Sequence, residues 1–164
     1  PEMAGVRFTA MFARSKDLKD WEVLPPQCNY AKDRYTAPHA LRYLDGYYYD
    51  FYLELNRPDY DPYGFEMCVV RSKDFIDWKP SPLNPVLRPS DDDRKIANPA
   101  LSEEARQRIA TAKNINNSDI DFCEYRGRVE IFYSWGNQRG VEHLARAVYP
   151  GTLEQFLRGW YPEE

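Results

Sequence analysis

Cysteine, histidine and long apolar runs are scarce in this chain of 164 residues. The three cysteines, Cys28, Cys68 and Cys123, form no C-x-x-C pair and are too few for a disulfide framework, so we expect three half-buried thiols. The two histidines stand at no ligand spacing from each other or from the cysteines, which disfavours a zinc site. We therefore predict neither a metal nor another cofactor.

A block of basic residues and a membrane-spanning segment are also missing. The 22 basic and 26 acidic residues give a formal net charge of −4, which argues against a nucleic-acid partner. No run approaches the roughly 18 apolar residues that span a bilayer, and no signal-peptide core follows the N-terminus. Membrane association is thus not expected. Because the chain begins at Pro1 rather than Met, we expect upstream sequence to be missing, and the compartment stays open between cytoplasm and periplasm or secretion.

Aromatic residues, by contrast, make up 15% of the chain, which also has 13 prolines. Aromatic and β-branched runs broken by proline and glycine are typical of short strands joined by turns. Asp45-Gly46 and Arg126-Gly127 each separate two such runs and predict tight hairpins. These patterns indicate an all-β protein.

The chain repeats itself at an interval of 57 residues. Residues 8–21 (FTAMFARSKDLKDW) and 65–78 (FEMCVVRSKDFIDW) align without a gap and share seven of fourteen positions. A weaker match at an interval of 81 aligns residues 43–54 with 124–135 and superimposes a glycine and a Phe-Tyr pair. Since the tryptophans that close the two stronger segments are equivalent, we expect both to pack between strands.

The repeats predict four-stranded antiparallel units like the blades of a β-propeller, with a sandwich or jelly roll as the alternative. Short helices are expected at about 102–113 and 152–158, with Ser102 and Thr152 as N-caps. Prolines and three consecutive aspartates indicate that the insertion between the repeats is a surface excursion. We divide one partial propeller domain into the end of a blade, a full blade, the insertion, and a last blade with a C-terminal helix, at residues 1–24, 25–80, 81–113 and 114–164.

Two segments resemble a known group of enzymes. Residues 71–78 (RSKDFIDW) resemble the Ser-x-Asp-(Leu/Phe)-x-x-Trp turn of five-bladed propeller glycoside hydrolases, which include families 32, 43, 68 and 130. Residues 37–52 (APHALRYLDGYYYDFY) resemble their tyrosine-rich hairpin, nearest to family 43. The resemblance implies a carbohydrate substrate and hydrolysis of a glycosidic bond. It also implies that the chain supplies about three of five blades.

The size of the chain fits an incomplete ring. At an interval of 57 residues the chain holds about 2.9 repeats, whereas propellers typically have at least four blades. We therefore predict either the C-terminal portion of a larger five-bladed protein or a partial propeller that covers its open edges by self-association. If the chain is such a portion, we expect it to be inactive on its own.

The resemblance further implies three carboxylates at the mouth of the propeller: a base or nucleophile, a general acid and a group that orients the sugar. In family 43 the acid often lies in a Glu-Gly-Pro-His motif. Thr36, in the segment TAPH, stands where that glutamate would be. The first-blade aspartate of these families would lie upstream of Pro1.

Strand direction predicts which residues meet at that mouth. If Thr36 begins an innermost strand, the following antiparallel strand brings Glu54 back beside Tyr35 and Thr36. By the same argument, residues 135–138 return beside residues 117–119. We expect the two groups to converge.

Acidic residues within these groups are the catalytic candidates. Asp119 and Asp121 are two apart on a strand, so both point to one side. Because glycoside hydrolysis needs two carboxyl groups, one protonated and one ionised, we predict that Asp119 or Asp121 acts with Glu54. The alternatives are strand-entry capping or salt bridges for the aspartates, and a solvated rim position for Glu54. Asp50 is expected to be a surface charge.

Aromatic and polar side chains near the same mouth are the substrate-binding candidates: Tyr35, Thr36, His39, Asn117, Trp135 and Asn137. Two other functions remain open. One is a noncatalytic sugar-binding propeller that has lost its acid, as Thr36 suggests. The other is a glycoside phosphorylase with Arg34 and His39 in a phosphate pocket.

Overall fold

The computed structural model describes residues 8–31, 35–55, 65–137 and 140–162, apart from the side chain of Leu55. Arg34 and residue 138, both considered above, lie outside these ranges.

Within these ranges, nine strands form three antiparallel sheets in chain order. The first unit, residues 8–31, pairs β1 (Ala13–Arg14) with β2 (Glu22–Val23). The middle sheet has the order β3 (Thr36–Leu44), β4 (Tyr47–Leu55), β5 (Phe65–Ser72) and β6 (Lys79–Pro80). The last sheet has the order β7 (Asn116–Tyr125), β8 (Arg128–Gly136) and β9 (Glu142–Tyr149). The predicted all-β, antiparallel fold is thus confirmed. The described sheets do not close into a ring, and the propeller stays a prediction.

Both predicted hairpin turns are present. Asp45 and Gly46 join β3 to β4 with φ of +49° and +82°, and Arg126 and Gly127 join β7 to β8 with φ of +52° and +75°. Positive φ at both central residues gives a turn whose twist matches that of the flanking strands. The sequence pattern therefore located the two hairpins correctly.

Two helices lie close to their predicted positions. Helix α1 (Glu103–Thr111) begins after Ser102, whose hydroxyl accepts a hydrogen bond from the Ala105 N–H at 3.2 Å. Helix α2 (Leu153–Gly159) begins after Thr152, which caps the N–H of Gln155 in the same way. Neither these helices nor any other in the described ranges has the length and apolar character needed to cross a membrane.

The three units stack in chain order because neighbouring residues of β4 point to opposite faces. Phe51 belongs to the main core, where its ring lies 4.8 Å from that of Phe122 in β7 and 5.7 Å from that of Phe156 in α2. Tyr52 belongs to a smaller apolar cluster with Tyr30 of the first unit. The middle sheet is therefore packed between the first unit and the last sheet.

The two repeat tryptophans have different surroundings. Trp78 stacks on Phe12 of the first unit, with ring centroids 5.4 Å apart. Trp21 is 57% exposed, so the prediction that it packs between strands is wrong. The local sequence pattern is the same, but the described chain places no sheet over Trp21.

The insertion is less superficial than its composition indicates. Asp91–Arg94 form one turn of 3-10 helix after Ser90, with a reciprocal capping box between Ser90 and Asp93. Asp93 is buried. The prediction of a surface excursion is thus wrong for this aspartate, which ties the insertion to the last sheet.

Candidate functional site

Strand register brings the predicted neighbours together at one end of each sheet. Thr36 pairs with Glu54 across β3 and β4, and Asn117 pairs with Trp135 across β7 and β8. Strand β7 also contacts β3, β4 and β5. We call this end of the stack, where β3 and β7 begin, the mouth.

Glu54 is held in a buried position at the mouth. The Tyr52 hydroxyl donates to its Oε2 at 2.5 Å, and the hydroxyls of Tyr52 and Tyr30 lie 3.1 Å apart. Burial raises the pKa of Tyr52 far above its usual range, and the neighbouring Tyr30 and Glu54 raise it further. Tyr52 therefore keeps its proton and remains a hydrogen-bond donor that orients the carboxyl group of Glu54.

Asp119 occupies an irregular position in β7. The register shifts between Ser118 and Asp121, and Asp119 has φ of +54°, a left-handed conformation that costs energy in any residue but glycine. Its side chain is exposed, and the Ser118 hydroxyl donates to its Oδ2 at 2.7 Å. The pKa of Tyr35 is raised by burial and by the charge of Asp119. Asp119 therefore acts electrostatically on the residue that precedes β3.

Asp121 has a different environment from Asp119. Its carboxylate is mostly exposed and accepts a hydrogen bond from Arg42 of β3 at 2.5 Å. The same guanidinium donates to the Phe122 carbonyl at 2.6 Å. Asp121 thus forms a surface ion pair between two sheets, the alternative considered from the sequence.

Thr36 and His39 are committed to contacts within the protein. Thr36 is buried, and its hydroxyl accepts a hydrogen bond from the Ala10 N–H at 3.0 Å. His39 places Nδ1 2.8 Å from Asp50 Oδ2 and Nε2 3.3 Å from the Thr36 carbonyl oxygen. Asp50 is fully buried, so the prediction of a surface charge is wrong for it. Because both partners of His39 are acceptors, protonated His39 satisfies both with its two N–H groups.

This pair predicts a pH dependence of stability. Burial lowers the pKa of His39, but the hydrogen bond and charge of Asp50 and the Thr36 carbonyl outweigh it, so the net pKa is raised above 6.5. A raised folded pKa stabilises the fold below pH 6.5, and this contribution is lost as the pH rises through the folded value. Burial also raises the pKa of Asp50, which acts in the same direction at lower pH.

We therefore expect urea titrations to show a falling free energy of unfolding as the pH rises above 6.5, and a smaller fall in the variant His39→Gln. The variant Asp50→Asn removes the charge that sustains the effect and should behave alike. Equal pH slopes in the wild type and in both variants would contradict the assignment.

A cavity of about 650 Å³ lies between the insertion and the last sheet. Two predicted substrate-binding residues, Asn117 and Trp135, are among its lining residues, together with Asp93, Tyr133 and His143. The Trp135 ring is almost fully buried and lies 4.7 Å from the His143 ring. This volume falls in the range of small-ligand sites.

Asp93 organises the floor of this cavity. Its Oδ1 accepts from the Tyr133 hydroxyl at 2.6 Å and from Asn117 Nδ2 at 3.4 Å. Its Oδ2 accepts from Asn114 Nδ2 at 2.7 Å and from the Ser90 N–H at 2.9 Å. The sequence analysis missed Asp93, although the spacing of Ser90 and Asp93 is that of a capping box.

The remaining candidates have local contacts. The Tyr35 ring contacts those of Phe8 and Phe65, with centroids 5.5 and 5.3 Å away. Asn137 exchanges hydrogen bonds with Val141, its N–H donating to the Val141 carbonyl at 3.0 Å and its Oδ1 accepting the Val141 N–H at 3.2 Å. Asn137 thereby shapes the entry to β9.

Metal-binding groups are absent from the described part of the chain: it contains no cluster of three or more histidine, cysteine, aspartate or glutamate side chains suited to an ion. The three cysteines are free thiols; Cys28 and Cys68 are buried, and Cys123 is exposed. The expectation of three half-buried thiols is therefore wrong in detail.

The fold resembles that of solved glycoside hydrolase structures. One is described as "Glycoside hydrolase" and another as a complex of BT0996 and RGII, and each matches with a TM-score of 0.55 and 19% identity over 83% of this chain and 34% of its own. No family model and no curated protein matches the chain. At this identity the likeness establishes the fold, and it does not single out family 43. The chain spans about a third of the length of these structures.

Proposed function

We propose that the chain belongs to a carbohydrate-active protein that hydrolyses glycosidic bonds, with Glu54 and Asp119 as its carboxyl pair. The observation that carries the proposal is the contrast between these two groups. Glu54 is buried and oriented by Tyr52, whereas Asp119 is exposed on a strained bulge near Tyr35. Strained backbone of this kind concentrates at functional sites.

Glycoside hydrolysis needs carboxyl groups in two unlike environments, one to protonate the leaving oxygen and one to act as a carboxylate towards water or the sugar. We assign proton transfer to Glu54, because its burial beneath Tyr52 keeps it in one orientation. The bond between the anomeric carbon and the glycosidic oxygen breaks as that oxygen takes the proton. We assign the carboxylate role to Asp119, because its exposed side chain is open to water and substrate.

A noncatalytic sugar-binding protein is the second candidate, and Thr36 favours it. The hydroxyl at the position of the family 43 acid is buried and bonded to the Ala10 N–H, so it supplies no acid. The phosphorylase alternative gains no support from His39, since both ring nitrogens face acceptors within the protein.

The two aspartates of β7 supply a matched test. The protein in its longest natural form is screened for hydrolysis of aryl glycosides, and the variants Glu54→Gln, Asp119→Asn and Asp121→Asn are compared. We expect turnover to fall by about 10²–10⁴-fold in the first two. We expect it to be retained in the third, because Asp121 forms a surface ion pair with Arg42.

Equal turnover in all variants overturns the assignment. Binding of glycans without hydrolysis, weakened by Asp119→Asn, replaces the catalytic proposal with the sugar-binding one. Neither hydrolysis nor glycan binding by the folded wild type rejects both. Circular dichroism spectra of the variants check that each remains folded.

A further inference from the structure

We propose that the two outer faces of this stack are the two halves of one head-to-tail interface, each covered by a second copy of this chain. The inference rests on the packing of the sheets and is independent of the proposed function. The head face is the outer side of the first unit, with Leu18 and Trp21. The tail face is the outer side of the last sheet, with Phe132, Leu144 and Val148.

The first unit and the middle sheet contain the same turn. The Leu18 N–H donates to Ser15 Oγ at 2.8 Å, and the Phe75 N–H donates to Ser72 Oγ at 3.0 Å. Leu18 and Phe75 both have φ of +63°. Since the two backbones share a conformation, they present the equivalent side chains in the same way.

The surroundings of the two turns are nevertheless unlike. Phe75 and Trp78 pack on Phe12 of the first unit, with ring centroids 4.8 and 5.4 Å away. Their equivalents Leu18 and Trp21 are 78% and 57% exposed. The head face thus lacks the layer that the first unit provides for the middle sheet.

The stack has a direction. Ala10 and Phe12 correspond to Met67 and Val69 at the interval of 57 residues. The first pair packs on the middle sheet, and the second pair packs in the core shared with the last sheet. Each unit therefore turns the same side towards the unit that follows it.

The tail face is such a side without a following unit. Phe132 corresponds to Phe51 at the interval of 81 residues, and it is 39% exposed whereas Phe51 is 0% exposed. Phe132 pairs with Arg146 in the register of β8 and β9, so Leu144 and Val148, two positions away on either side, share its face. Leu144 is 77% exposed. The tail face is therefore ready to receive another unit.

A second copy of the chain supplies what each face lacks. One chain carries both a side that receives a preceding unit and a side that receives a following unit, so head-to-tail contact satisfies both. Such heterologous contacts form a ring where the rotation closes. Two chains bring about six repeats, within the roughly four to eight blades of closed propellers. We therefore expect a closed dimer.

Analytical ultracentrifugation of the chain over a range of concentrations tests this. We expect the wild type to be a dimer, and Trp21→Glu and Phe132→Glu each to be folded monomers by circular dichroism. Ile76→Lys is the matched control and should remain dimeric, because Ile76 is exposed and its repeat equivalent is already Lys19.

Mixing the two monomeric variants tests the head-to-tail geometry. Trp21→Glu retains an intact tail face and Phe132→Glu an intact head face, so an equimolar mixture should form dimers through one remaining interface. A wild type that is monomeric at every concentration overturns the proposal, and a longer chain whose own upstream units cover the two faces does so too. Loss of the dimer in only one variant indicates a symmetric contact instead and also overturns it.

Discussion

Replacing Phe51 with alanine is expected to lower the free energy of unfolding by about 3–5 kcal/mol. Phe51 is fully buried, and its ring contacts those of Phe122, Phe156 and Trp160 with centroids 4.8, 5.7 and 6.3 Å away. These residues come from β7 and from the C-terminal helical segment. Removing the ring opens a cavity where three elements meet, which the surrounding structure closes only in part.

Guanidinium titration measures this loss, and thermal unfolding should show a fall in melting temperature of roughly 10 °C. Tyr43→Ala is the matched control, because Tyr43 lies on the neighbouring strand β3 but is largely exposed, touching Tyr48 across the hairpin. We expect this control to cost at most about 1 kcal/mol. Equal losses in the two variants would contradict the packing of the middle sheet against the last sheet.

Features set by a few neighbouring residues were predictable from the sequence. The Asp45-Gly46 turn works because its two residues adopt positive φ, and Ser102 and Thr152 begin helices because their hydroxyls accept backbone N–H groups. The register of Glu54 opposite Thr36 follows from the hairpin. Local chemistry and strand pairing decide all of these.

Features set by distant parts of the chain were not predictable. Trp21 and Trp78 close matching segments, yet only Trp78 has an aromatic layer in front of it. A bulge between Ser118 and Asp121 interrupts the simple alternation by which two aspartates were placed together. Arg42, from another sheet, then engages Asp121. The sequence thus indicated the mouth but not the different environments of its carboxylates.

Composition misled at the insertion, where three consecutive aspartates suggested a solvated segment. Only Asp93 of the three is buried, because the 3-10 turn that begins at Ser90 points its carboxylate towards the last sheet. Its four donors come from β7, β8, the residue before the turn and a residue after α1. No local pattern reveals that convergence, although the capping box announces the turn itself.

Asp93→Ala is expected to destabilise the protein by about 4 kcal/mol, because it leaves several buried donors without an acceptor, at about 1–3 kcal/mol for each group that stays unsatisfied. The insertion should also detach from the last sheet. Hydrogen exchange is therefore expected to quicken in the turn Asp91–Arg94 and around Tyr133, before it changes in the middle sheet.

Asp93→Asn separates the hydrogen bonds from the charge. The amide oxygen keeps one acceptor, so we expect a smaller loss of stability than in Asp93→Ala. In the wild type, burial raises the pKa of Tyr133, and the hydrogen bond and charge of Asp93 raise it further. Ultraviolet titration of the phenol should therefore show a lower pKa in Asp93→Asn, still above the usual value because the ring stays buried. An unchanged Tyr133 pKa, or equal stability of the alanine variant and the wild type, would show that Asp93 does not anchor the insertion.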